Sequence, residues 1–123
     1  MKFVLGSAAV WWPVTVMRPD PDAPGKTIAQ TLKCQFLPIE QDAFLEEQER
    51  IAAIPGIRDR AAAERVFLAG TFQDWADVED VEGNSVPCTA EAKADALQDG
   101  AFRAALWRAI GEVTLGEAAR LGN

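Results

Sequence analysis

The sequence predicts an α+β fold: an N-terminal antiparallel β-hairpin, with room for a third short strand, followed by a bundle of about four α-helices. Three observations lead there. Residues 10–17 and 27–36 alternate with the period of two that a strand requires. A connection rich in Pro and Asp, "RPDPDAPGKT", joins the two runs. After Pro38 the apolar residues fall instead at helical steps of three and four. A chain of 123 residues fits one domain with a core of its own. We read residues 1–37 as the hairpin region and 38–123 as the helical region of a single unit.

In the first strand Val10, Trp12, Val14 and Val16 point one way and Trp11, Pro13, Thr15 and Met17 the other. Pro13 cannot donate to a ladder, so this strand is expected at an edge or with a bulge. The return strand sets Ile28, Leu32, Cys34 and Phe36 against Thr27, Ala29, Thr31, Lys33 and Gln35. Phe3–Leu5 would supply the extra short strand before Gly6. The first helix opens with Glu40 and Asp42, where negative charge suits the helix dipole, and carries Phe44, Leu45, Ile51 and Ala52. Pro55-Gly56 ends it. Asp59 is expected to cap a second helix through Ala62, Val66, Ala69, Phe72 and Ala76. A polar loop turns at Gly83-Asn84. Thr89 then caps a short helix to about Gln98, and a last helix carries Phe102, Ala105, Leu106, Ala109, Ile110 and Val113.

Composition excludes several functions. A net charge of −7 argues against a nucleic-acid partner and against an anionic membrane surface. The opening "MKFVLGSAAVWWPVTVM" is interrupted by Trp11, Trp12 and Pro13 and lacks a cleavage signature, so it reads as mature, cytosolic structure rather than a signal peptide or a span. Cys34 and Cys88 have no zinc-binding spacing; each reads as a small buried apolar residue in a reduced pair, with a bridge left open.

Gly25-Lys26-Thr27 resembles the end of a phosphate-binding loop, but Asp20 stands where the first Gly is needed, and a strand rather than a helix follows. The acidic "DWADVEDVEG" fails as a calcium loop: with Gly83 at the sixth position, Val78 falls at the first and Thr89 at the twelfth. The chain has no His, so Ser-His and Cys-His catalysis are out of reach, and we expect no enzyme, metal or cofactor.

What remains is apolar. Trp11 and Trp12 are neighbours on a strand and must face opposite ways, so one indole is left on the outer face if helices cover the other. Either another part of the chain covers that face or a lone exposed Trp carries no meaning; the sharper alternative is a partner surface at an edge strand. The candidate partner-binding residues are Trp11, Trp12, Val14 and Phe36.

The order of these features resembles the bacteriophage tail assembly chaperone families. The resemblance rests on the "FVL" opening, an aromatic followed by "PVTV", the Pro/Gly-rich tip, and a return strand ending in Phe36. It continues in "FLAGTFQDWADVEDVEGNSVPCTAEA", where Trp75 precedes a loop with Asp80, Gly83, Pro87 and Thr89, and in the C-terminal "EAARLGN". The tip is longer and more acidic than the family's pattern. The resemblance implies a cytoplasmic, non-catalytic protein that binds the tape-measure protein, recruits tail-tube subunits and is absent from the mature virion. It also implies that a longer frameshifted product can accompany the short one. A homo-oligomer is compatible with it. The alternatives are a structural head–tail connector or tail-completion protein, and a small bacterial ligand-binding or regulatory domain.

Overall fold

The computed structural model describes residues 1–116. Strands β1 (Val10–Pro19) and β2 (Thr27–Phe36) form the expected hairpin, in unbroken antiparallel register from Val10 opposite Phe36 to Pro19 opposite Thr27. Helices α1 (Gln41–Ala52), α2 (Ile57–Ala69), α3 (Ala90–Ala96) and α4 (Gly100–Leu115) follow, with strand β3 (Phe72–Ala76) between α2 and α3. The sheet order is β1-β2-β3, which makes β2 central and β1 an edge.

The register explains Pro13. Beyond the strands the Asp20 N–H donates to the Lys26 carbonyl at 2.9 Å. Opposite residues exchange bonds at every second pair of an antiparallel ladder. Counting back from Asp20, the even-numbered residues of β1 bond to β2, and the odd-numbered ones point their backbone groups to the free edge. Pro13 and Pro19 are both odd, so neither removes a ladder bond, and both blunt the edge against further pairing.

Two elements differ from the sequence reading. The third strand is β3, inside the helical region, and not Phe3–Leu5, which has no strand partner: β2 ends at Phe36, and the residues that would face Phe3–Leu5 in the same register, 41–43, open α1. Phe72 and Ala76 belong to β3 and not to α2; α2 stops at Ala69, Gly70 is its C-cap, and the Thr71 hydroxyl donates to the Leu68 carbonyl at 2.6 Å. A bulge at Gln35/Phe36 disturbs the alternation of the β2–β3 pair, so Phe72 and Trp75 are both buried at a spacing of three that mimics a helix. Asp59 lies in the first turn of α2, but Gly56 is the N-cap, with the positive φ of 87° that a residue with a side chain avoids. Glu40 is the N-cap of α1 without a side-chain bond, Thr89 caps α3 as expected, and Asp99 caps α4, which the sequence reading did not foresee. The Thr89 hydroxyl accepts from the Ala92 N–H at 3.1 Å, and the Asp99 carboxylate accepts from the Ala101 N–H at 2.9 Å.

The core lies between one face of the sheet and the helices. Val14, Val16, Leu32, Cys34 and Phe36 meet the α4 stripe Phe102, Ala105, Leu106, Ala109 and Ile110. Each large side chain so buried stabilises the fold by about 1.5–3 kcal/mol. Phe72 sits at the centre, with ring centroids of Phe36, Trp75 and Phe102 within 6.3–6.4 Å. Lys93 reaches in from α3: its ammonium lies 4.4 Å from the Phe72 ring centroid and donates to the carbonyls of Ala69 and Phe72. It thereby satisfies an orphan carbonyl at the end of α2. A second aromatic group, Phe44, Phe67 and Trp107, ties α1, α2 and α4 together. There Glu64 accepts from the Trp107 indole at 3.1 Å and pairs with Arg103 at 3.5 Å.

Candidate functional site

The helices leave one face of the sheet bare. The outward residues of β1 are Trp11, Pro13, Thr15, Met17 and Pro19, all exposed; their partners on β2 are Gln35, Lys33, Thr31, Ala29 and Thr27, and none of these is buried. Asp74 and Ala76 extend the face onto β3. Trp11 is 44% exposed and Met17 45%. They stand six residues apart on one strand, about 20 Å at the usual rise. The surface therefore has two apolar contact points with Pro and Thr between them, rather than one greasy patch. Around Trp11 the floor is polar: the Gln73 amide donates to Gln35 at 2.9 Å, and Lys33 lies 3.6 Å from Asp77.

The four candidate partner residues fall in different places. Trp11 is on the bare face. Trp12 is half-buried on the opposite face, where its indole N–H donates to Glu112 Oε1 on α4 at 3.2 Å. Val14 and Phe36, each 1% exposed, are core residues and are not on a surface that a partner meets. The adjacent pair of indoles thus divides into one that clamps the sheet to α4 and one that faces solvent. Met17 had the same sequence signal as Trp11, an odd position on β1, and belongs with it.

The other sequence motifs resolve as turns. At the hairpin tip the N–H groups of Asp20, Asp22, Ala23 and Lys26 donate to acceptors within the tip itself. They are not gathered into a cradle for phosphate, and Gly25, at φ 84°, supplies the reversal. In the acidic loop Asp80 Oδ1 accepts from the backbone N–H groups of Glu82 at 2.9 Å and Asn84 at 3.0 Å. These bonds hold the Asp80 carboxyl below its ordinary value and close a small hairpin joined by the Glu79–Ser85 bridge. Among the described residues no cluster of three or more Cys, Asp or Glu could hold a metal ion. Both cysteines are free. Burial pushes the Cys34 thiol up to about 12 and raises that of Cys88, so both stay protonated near neutrality and are poor nucleophiles. Among the described residues no helix is long and apolar enough to cross a membrane. The "EAARLGN" motif, residues 117–123, lies outside the described residues.

No family model, no curated protein and no solved structure matches this chain.

Proposed function

We propose that this chain is a non-catalytic protein-binding module that works as a phage tail assembly chaperone, holding the tape-measure protein in the host cytoplasm and passing it to tail-tube subunits. The observation that carries the reading is the uncovered sheet face with Trp11 standing on its edge strand. An indole there offers a large rigid contact area at small entropic cost, and a single such anchor suits a contact that must later be released. The net charge of −7 supports the same role, because a strongly acidic carrier keeps an apolar client dispersed. The absence of His from the sequence and the two protonated thiols support a role without catalysis.

Co-expression with a tape-measure protein from the same genome tests the proposal. The tagged chain should retain the client and raise its soluble fraction, and Trp11→Ser should weaken both effects while leaving the fold intact. A client that stays insoluble and unretained overturns the reading. Recovery of this chain in purified particles would instead assign it a structural place, as a head–tail connector or tail-completion protein.

A further inference from the structure

We propose that this chain pairs edge to edge with a second copy of itself, residues 27–31 of β2 lying antiparallel to the same residues of the other copy. This edge lies across the hairpin from the strand that carries Trp11, and the pairing does not depend on a role in tail assembly.

The sheet has its third strand along only part of β2. Strand β3 pairs with residues 33–36 and no further. Even-numbered residues of β2 bond to β1, so its odd-numbered residues direct their backbone groups to the other side. Lys33 and Gln35 meet β3 there, opposite Ala76 and Asp74. In the same register Val78 would come next, opposite Thr31. The chain turns away instead: Asp77 takes a φ of 65°, and the Val78 carbonyl accepts from the Val86 N–H at 2.9 Å. The outward N–H and C=O groups of Thr27, Ala29 and Thr31 are left without a partner among the described residues. Residues 27–31 are all exposed.

A row of unpaired backbone donors and acceptors fits one kind of partner, another extended strand. The free edge of β1 is guarded against such pairing. Pro13 and Pro19 offer no N–H there, and Arg108 donates to the Thr15 carbonyl at 3.4 Å. Residues 27–31, Thr-Ile-Ala-Gln-Thr, contain no proline, no glycine and no charge.

This open stretch is complementary to itself. With Ala29 opposite Ala29 of a second copy, Thr27 faces Thr31, so each outward-pointing residue meets another and exchanges both backbone bonds. The arrangement closes on a two-fold axis. Thr–Thr pairs form on the outer face, and Ile28 meets Gln30 on the inner one. Lys26 of one copy then falls opposite Leu32 of the other, beside a hollow of about 180 Å³. Its walls include Leu32, Trp75, Val78 and Phe102, together with Asp77 and Glu79. Arg18, on the same wall, is already paired with Asp99. Lys26 forms no ion pair in its own chain among the described residues. Its aliphatic stem suits the apolar walls and its ammonium the two carboxylates. Charge therefore favours a second copy, which brings Lys26 to this acidic hollow twice.

Sedimentation of the full chain over a wide concentration range, with amide exchange followed by NMR, tests the pairing. A weak, reversible dimer should form as concentration rises, because the contact is small. The amides of Thr27, Ala29 and Thr31 should then exchange more slowly, while those of Trp11, Thr15 and Met17 keep their rates. Ala29→Pro removes the central donor without touching a bond to β1, and should raise the dissociation constant roughly thirtyfold or more. Met17→Pro, directly across the hairpin from Ala29, puts the same ring on the β1 edge and should leave the dimer unchanged. Lys26→Glu should weaken the dimer. The exchange measurement needs no substitution, so it decides the matter even where Ala29→Pro fails to fold. A monomer at every concentration overturns the proposal. So does a dimer that Met17→Pro weakens and Ala29→Pro does not, and so does protection of the three amides that appears only when a different peptide is added.

Discussion

Replacing each of the two neighbouring indoles with alanine separates the covered face of the sheet from the bare one. Loss of a fully buried large aromatic costs about 3–5 kcal/mol. Trp12 is half-buried against α4, so Trp12→Ala should forfeit about half of that, with about 1 kcal/mol more for the lost bond to Glu112. The expected total is about 2–3 kcal/mol. Trp11 lies on the uncovered face and is 44% exposed, so Trp11→Ala should stay within about 1 kcal/mol, as for other surface positions. Urea unfolding followed by circular dichroism reads the difference. With a slope of about 1–3 kcal/mol per molar for a small domain, the Trp12→Ala midpoint should fall by about 1 M or more, and that of Trp11→Ala should barely move. Equal losses at the two positions would refute the reasoning, since they would mean that something covers the outer face as well.

Three further perturbations bear on the rest of the structure. Lys93→Met removes the donor to the Ala69 and Phe72 carbonyls, and should lower stability by about 1–3 kcal/mol in thermal or urea melts. Pro13→Val places a new N–H on the free edge of β1 without altering the ladder, so stability should shift by less than about 1 kcal/mol while light scattering reports more self-association. Cys34 sets a pH dependence: its thiol is raised from 9.0 to about 12, so the folded state holds a proton that the unfolded state releases. Its contribution is complete below about pH 9 and is lost as pH rises towards 12, with a limiting slope of about 1.4 kcal/mol per pH unit that Cys34→Ala should abolish.

The hairpin was legible in the sequence because several local signals agree there: alternation on both strands, three prolines and a glycine in the tip, and a proline that only an edge tolerates. Thr89 was legible as a cap for the same reason, being a good acceptor directly before a helical stretch. The third strand was hidden by its own bulge. Phe72, Trp75 and Ala76 fall at helical steps, and only Gly70, a residue suited to ending a helix, hinted that α2 stops before them. Phe3–Leu5 has strand-forming residues, but pairing is a long-range property, and the decisive fact is where β2 ends. At the candidate site, alternation alone required one indole to face outward, yet it could not say which. That depended on α4, almost a hundred residues away, packing on the even-numbered face of β1.

That last contact also dictates when the molecule can become whole. The partner of Trp12 is Glu112, and the inner face of the first strand is closed by the last helix. A ribosome adding about 5–20 residues per second releases the hairpin several seconds before α4 emerges. A two-stranded hairpin is marginal by itself in water, so Val14 and Val16 must wait uncovered for α4. Folding is therefore deferred until α4 has left the ribosome, and a chain interrupted within α4 should emerge with its first strand still unclaimed.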